Sequence, residues 1–257
     1  MSNIELLKQL REISFAPLKD CKEALAEAND DLTQAQEILK KKGISKAGAR
    51  AERETKEGIV KVESRDAWII GLKLLCETDF VAKNEHFQAL FNSVFDQIAS
   101  QKKEINSFED IDPAIFEKVD NEVKEFMGKT GENMKLGGVL ITQKKAYVYN
   151  HPGNKVASIV YYEGGTEDIA KEIALQVAAM NPLYTSFEEV NQDEVAKMTE
   201  EFGAELKAAG KPEAMIKQIV DGKIKKALAE NVLLEQEYIR DGAKKVKEML
   251  PDDMKIL

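Results

Sequence analysis

A chain of 257 residues, 43% of them hydrophobic and 32% charged, is long enough for one large domain or two or three small ones with real cores. Its formal net charge of -9 argues against direct nucleic-acid binding, which draws its affinity from lysine and arginine neutralising phosphates, and favours a protein partner. No stretch approaches the apolar length that crosses a bilayer, and the opening "MSNIELLKQLREIS" mixes apolar and charged residues where a targeting segment would be basic and then apolar, so a cytoplasmic protein is expected.

Cys21 and Cys76 lie in separate segments and read as buried thiols, not as a disulfide or a metal knot. With only His86 and His151, no clustered imidazole metal site can be assembled, and no metal or cofactor is expected. The hydrolase elbow G-x-S-x-G is absent as well.

From the N-terminus, three short amphipathic segments are marked by Ile4, Leu7 and Leu10, by Leu18, Cys21 and Leu25, and by Leu32, Ala35, Ile38 and Leu39. Pro17 opens the second segment, Asn29-Asp30-Asp31 caps the third and Gly43 ends it, which predicts a three-helix module over residues 1–44. Residues 45–56 have almost no large apolar side chain and read as an exposed linker or a frayed helix.

Beyond the linker the apolar period becomes two. Ile59, Val60 and Val62 make one strand, Arg65-Asp66 turns, and Trp68, Ile70, Leu72, Leu74 and Cys76 line one face of a second. A helix with Phe87, Phe91, Val94, Phe95 and Ile98 on its apolar side follows, then another from about Pro113 to Met127. Gly128-Lys129-Thr130-Gly131 imitates a phosphate-binding loop but follows a helical pattern, so it reads as a helix stop.

The same order then recurs. Val139 to Ile141 with Tyr147 to Tyr149, and Val156 to Tyr162, form strands, and Thr166 caps a helix faced by Ile169, Ile173 and Val177. This predicts two related subdomains, residues 57–135 and 136–257, in an α+β fold. An antiparallel helix hairpin is inserted over 188–231, with Val195, Met198, Phe202, Leu206 and Ala209 on one arm and Met215, Ile219, Lys223 and Ala227 on the other. Gly210-Lys211-Pro212 joins the arms, the pair is expected to project from the body, and a last helix is expected from about Gly242 to Leu250.

The two subdomains differ at one place. In the second, Tyr162 reaches its helix cap through Glu163-Gly164-Gly165, whereas "ETDFVAKN" (77–84) is wedged between strand and helix in the first. Thr78 can cap that turn and Asp79 suits its positive end, while Phe80 either staples back into its own core or stands exposed. Exposed, the ring would leave about 1.5–3 kcal/mol of burial energy for a partner, the magnitude of an interface anchor.

"TDFVAKN" after Cys76-Glu77, and "LREIS" followed by "LKDCKEAL", resemble the two signatures of the bacterial elongation factor Ts family. The likeness extends through "HPGNKVASIVYYEGG" and "IAKEIALQVAAMNP" over nearly the whole chain. It implies a guanine nucleotide exchange factor for elongation factor Tu, acting by binding and not as an enzyme. In that family the Asp-Phe pair intrudes beside the partner's magnesium and phosphate site, a role that falls here on Asp79 and Phe80, with Thr78 and Val81 holding the turn. The N-terminal module, similar to a ubiquitin-associated fold, would dock on the partner's nucleotide domain through Arg11, Leu18 and Lys22, and His151 matches a further contact.

Lys73 and Leu75 depart from the signature, as do Phe15, Pro17 and Thr130. Related chains often add a strand after the last helix; with only Pro251 to Leu257 remaining, either an open edge or a truncated chain is implied. Apart from the resemblance, two other functions fit: an adaptor binding through residues 1–44, or an acid-base enzyme built on Glu77 and Asp79. The second lacks a histidine, a metal set or an oxyanion loop.

Overall fold

The computed structural model describes residues 3–14, 16–47 and 52–257, with the backbone alone described for Asn3 and residues 44–47. Phe15 and the middle of the expected linker, residues 48–51, lie outside the described residues. Helices and antiparallel strands alternate in an α+β fold, and the chain divides into two compact units. One comprises residues up to Lys144 together with Asn150–Val156; the other comprises Lys145–Tyr149 and Ala157–Leu257.

The first unit opens with helices α1 (Asn3–Ser14), α2 (Leu18–Glu27) and α3 (Leu32–Ala47). Leu10, Cys21, Ala24, Leu25, Ala28, Ala35 and Leu39 form their core, and the small residues among them let short helices approach closely. Asn29 and Asp30 take left-handed backbone angles in the turn, and Asp31 Oδ1 accepts from Gln34 N at 2.9 Å to cap α3. Helix α3 runs three residues past the expected module boundary at 44.

Strands β1 (Glu57–Arg65) and β2 (Trp68–Cys76) form the expected hairpin, turning at Asp66. The third strand of this sheet is β3 (Met134–Thr142), antiparallel to β2. β3 belongs to the first unit, which corrects the expected grouping of residues 139–141 with 147–149 in one subdomain and the boundary at 135/136. Its Ile141 is fully buried in the same core as Ile70, Leu72 and Leu74, which short-range alternation alone could not reveal.

A single turn, α4 (Asp79–Ala82), and helices α5 (Glu85–Ala99) and α6 (Pro113–Thr130) complete this core. Phe87, Phe91, Val94, Phe95 and Ile98 from α5 and Val119, Val123 and Met127 from α6 pack against the sheet. Gly131, at φ 77°, ends α6. Gly128 sits one turn inside the helix and meets Gly43 of α3: a Cβ on Gly128 would lie 2.5 Å from the Gly43 Cα. Beside this crossing, Lys40 and Glu125 pair at 2.8 Å.

In the second unit, strands β4 (Ala146–Asn150), β5 (Ala157–Glu163) and β8 (Lys255–Ile256) form a sheet in the order β4-β5-β8. Tyr162 faces Ile256 and Glu163 faces Lys255, so residues 255–256 add a short strand beside the end of β5. Helix α7 (Glu167–Met180), capped by Thr166, covers the sheet with Ile173 and Ala174.

Helices α8 (Gln192–Ala208) and α9 (Glu213–Leu228) form the expected hairpin. The register of α9 differs from expectation by one residue: Ile216, Val220, Ile224 and Leu228 face α8, while Met215 is exposed. Both frames repeat every four residues, and the buried one is wholly aliphatic, whereas the other would have buried Lys223. Lys223 instead pairs with Glu205 at 2.7 Å.

The expected last helix is also corrected. Strand β7 (Asp241–Lys245) pairs with β6 (Glu237–Tyr238), and a 3-10 turn spans Val246–Met249. The Val246 amide donates to Gln236 O at 3.0 Å, and Lys245 and Lys247 both reach Glu235, so tertiary partners draw this segment out of a helix.

The duplication runs deeper than the strands suggest. Ser107-Phe108-Glu109-Asp110-Ile111 and Ser186-Phe187-Glu188-Glu189-Val190 form matching 3-10 turns before α6 and α8. Asp112 and Asn191 cap the two helices alike, and Gly131 and Gly210 follow them at matching left-handed angles. Between these marks, Phe116, Val119, Val123 and Met127 correspond at a constant offset to Val195, Met198, Phe202 and Leu206.

Candidate functional site

Residues 77–84 separate β2 from α5, whereas residues 164–166 suffice between β5 and α7. The added segment is the α4 turn. A four-residue helix cannot sustain itself, since helix nucleation is unfavourable, so side-chain and tertiary bonds must hold it. Thr78 caps it, its Oγ1 accepting from Val81 N at 3.4 Å while Ala82 N donates to Thr78 O at 3.2 Å. Val81 and Ala82 pack onto the core below.

Helical spacing then turns Phe80 the other way, and it is 83% exposed, against 0–2% for Phe87, Phe91 and Phe95 of the adjacent helix. The ring is not a staple into its own core. Asp79 pairs with Lys83 at 2.7 Å, and that hydrogen bond, aided by the Lys83 and Lys155 charges, holds its carboxyl below the usual range. The turn therefore presents an ionised carboxylate next to a bare aromatic ring at neutral pH.

Two acids from different segments clasp the base of the turn. Glu132, in the connection between α6 and β3, accepts from Thr78 N at 3.1 Å and from Thr78 Oγ1 at 2.6 Å. Glu77 in return accepts from Asn133 N at 2.5 Å. Arg53 reaches Glu77 and Gly131 O, each at 3.4 Å, and Asn133 Nδ2 donates to Arg53 O at 2.7 Å. Part of the expected linker is thus bound beside the turn. Below it Cys76 donates its thiol to Thr78 O at 3.3 Å; burial, then the nearby Glu132 and Glu57 charges, push that thiol up to about 12.

His151 lies in the loop 150–156, which the structure binds to the edge of β1. Asn150 bonds both Val62 N and Val62 O, Asn154 O accepts from Val60 N, and Lys155 pairs with Glu57 at 2.6 Å. The Lys155 charge also bears on Asp79, so this loop and the α4 turn share one side of the first unit. The His151 side chain is exposed.

Arg11, in the last turn of α1, and Leu18 and Lys22, one turn apart on α2, are each exposed on the three-helix module, which has its own core. Leu18, 52% exposed, contributes little to that core. Sequence reading missed Arg53, Lys83, Glu132, Asn133 and Lys155. Lys83 was within reach, because Asp79 and Lys83 stand four apart in a helical turn; Glu132 becomes visible only once the chain is folded.

Among the described residues, no group of three histidines, cysteines or acids could hold a metal ion, and no helix is long and apolar enough to cross a membrane. A projecting ring beside a carboxylate, set on a turn clasped by buried and half-buried polar groups, has the chemistry of a protein-contact surface. Residues 77–256 match the family model described as elongation factor TS. The chain is 37% identical to elongation factor Ts of Hydrogenobaculum sp. (strain Y04AAS1) over 250 residues, covering 95% of this chain and 91% of the relative. It is 39% identical to elongation factor Ts of Deinococcus deserti (97% and 95% covered) and 35% identical to that of Porphyromonas gingivalis (99% and 94%). The chain belongs to the elongation factor Ts family, a family of translation elongation factors.

Proposed function

We propose that this protein is a guanine nucleotide exchange factor that binds elongation factor Tu carrying GDP in the cytoplasm, disturbs its magnesium and phosphate site, and promotes GDP release. The observation that carries the reading is Phe80, 83% exposed on a turn that is capped by Thr78, bonded at its base to Glu132 and packed onto the core through Val81 and Ala82. Phe80 acts as the wedge, and the ionised Asp79 competes for the water and hydrogen bonds around the partner's magnesium. Thr78 and Val81 fix the turn. Arg11, Leu18 and Lys22 supply a second contact, and His151 a third.

No bond is broken in this mechanism. A factor that binds the nucleotide-free partner more tightly than the loaded one must weaken nucleotide binding by the same factor. The nucleotide belongs to the partner, consistent with a chain whose phosphate-loop look-alike, residues 128–131, is the end of a helix.

Stopped-flow release of fluorescent GDP from elongation factor Tu tests the reading. The unmodified protein is expected to accelerate release strongly, and Phe80→Ala to lose about 10- to 100-fold of that acceleration, the effect of truncating an interface anchor. Because so little of the ring is buried, the variant's unfolding midpoint should not move. Equal acceleration by both proteins would reject Phe80 as the wedge.

A further inference from the structure

We propose that Glu132 is a positioning residue for nucleotide exchange, a latch that sets the direction in which the α4 turn presents Asp79 and Phe80. The inference rests on the exchange reading above, but the latch itself is a feature of the free protein. Four observations lead to it.

First, both oxygens of the Glu132 carboxylate are spent on one residue, Thr78, at 3.1 Å to its amide and 2.6 Å to its hydroxyl. Second, the hydroxyl can make its capping bond to Val81 N only with a lone pair, and giving its proton to Glu132 leaves that pair free. The cap and the latch are therefore one chain of hydrogen bonds, running from Glu132 through Thr78 to the middle of the turn.

Third, the clasp is reciprocal. Glu132 takes the amide of Thr78 while Glu77 takes the amide of Asn133, so each acid is bonded to the residue that follows the other. Two bonds crossing between segments more than fifty residues apart resist rotation about either one, a constraint that a single bond cannot supply. Fourth, Phe80 has almost no packing of its own, so its direction is inherited from the backbone of the turn.

A latch differs from an ordinary structural bond in where its loss is felt. Glu132 holds the base of the turn through Thr78, so removing it should leave encounter with the partner largely intact and slow the step that follows. Misplacement by about 1 Å of a group acting at a reacting centre costs on the order of 100-fold.

The test compares full-length unmodified protein with Glu132→Ala and Glu132→Gln. In stopped-flow GDP release from elongation factor Tu at increasing factor concentration, Glu132→Ala is expected to lower the maximal rate at least about tenfold while the half-saturating concentration shifts less than about threefold. Glu132→Gln keeps a carbonyl acceptor for the Thr78 amide and should recover part of the loss. Amide hydrogen exchange of the free proteins supplies a readout that needs no partner: the Thr78 and Val81 amides should exchange about tenfold faster in Glu132→Ala, with the β2 amides unchanged.

An unchanged maximal rate with Glu132→Ala, or a fall only in affinity together with faster exchange across β2, overturns the latch. Unchanged protection at Thr78 and Val81 overturns it as well. Failure of the unmodified protein to accelerate release, with those amides still deprotected by Glu132→Ala, would reject the exchange reading while leaving the clasp as a feature of the turn without that role.

Discussion

Phe80 and Cys76 are four residues apart and meet opposite fates, and the reason lies in what each backbone position faces. Cys76 ends a strand whose inward face is already Ile70, Leu72 and Leu74, so its thiol is sealed in the core. Burial and neighbouring carboxylates raise it to about 12, which leaves almost no thiolate near pH 8. A disulfide reagent at pH 8 should therefore modify Cys76 in the native protein on the order of 1,000-fold more slowly than in denaturant, followed by mass spectrometry of the labelled peptides. Rapid native labelling would show that the strand end opens and that the base of the turn is not rigid. The buried cysteine was legible in the alternation of β2; the exposure of Phe80 was not, because an apolar residue in a first helical turn can point either way. Only the inward placement of Val81 and Ala82 decides it.

At the scale of elements, the helices were largely legible from their apolar stripes and from local start signals, such as the Thr166 cap on α7 or Pro17 before α2. What escaped was pairing across distance. The third strand of each three-stranded sheet arrives from far along the chain, β3 after the α4 turn and two longer helices and β8 at residues 255–256. The Ser-Phe-Glu turns at 107 and 186 would have exposed the repeat and aligned α6 with α8, since their spacing to the following caps and glycines is identical. Gly128 belongs to a stretch whose sequence reads as a helix stop, but its work is to let α3 and α6 touch. This gives a prediction with opposite signs at similar sites. Glycine to alanine inside an exposed helix stabilises by about 0.5–1 kcal/mol, and Gly203 of α8 and Gly222 of α9 have open space where a Cβ would go. Gly203→Ala and Gly222→Ala should raise the urea midpoint of unfolding. In Gly128→Ala the same propensity gain meets a Cβ 2.5 Å from backbone that no rotamer change can move, and the overpacking cost of about 1–3 kcal/mol should win. A stabilised Gly128→Ala protein would mean that α3 and α6 do not make this crossing in solution.

For the whole molecule, the net charge of -9 and the individual ion pairs make contrary demands as pH falls. Protonating carboxylates relieves the overall repulsion, which would favour the folded state. Yet several carboxylates are held below their ordinary range in the fold: Glu63 by hydrogen bonds from Arg65 and then Lys61, and Asp110 by the Asn106 and Ser107 amides. Glu235 is drawn upward by burial, but Lys245 and Lys247 outweigh it and the net direction is again down. A carboxylate whose folded pKa is depressed contributes stability that is fully present above its unfolded value, about 4.3 for glutamate, and lost as pH drops through the folded value. The unfolded chain binds those protons first. Repulsion among surface charges is screened over about 8 Å at physiological salt, whereas contacts at 2.7–2.9 Å such as Arg65 with Glu63 or Ser107 N with Asp110 are screened far less. The local terms should therefore prevail. Thermal melts at 0.15 M salt are expected to be flat from about pH 6 to 8 and to fall progressively below about pH 5, with Glu63→Gln flattening part of that decline. A melting temperature that rises on acidification would show that global repulsion, and not this set of paired carboxylates, governs the acid limb.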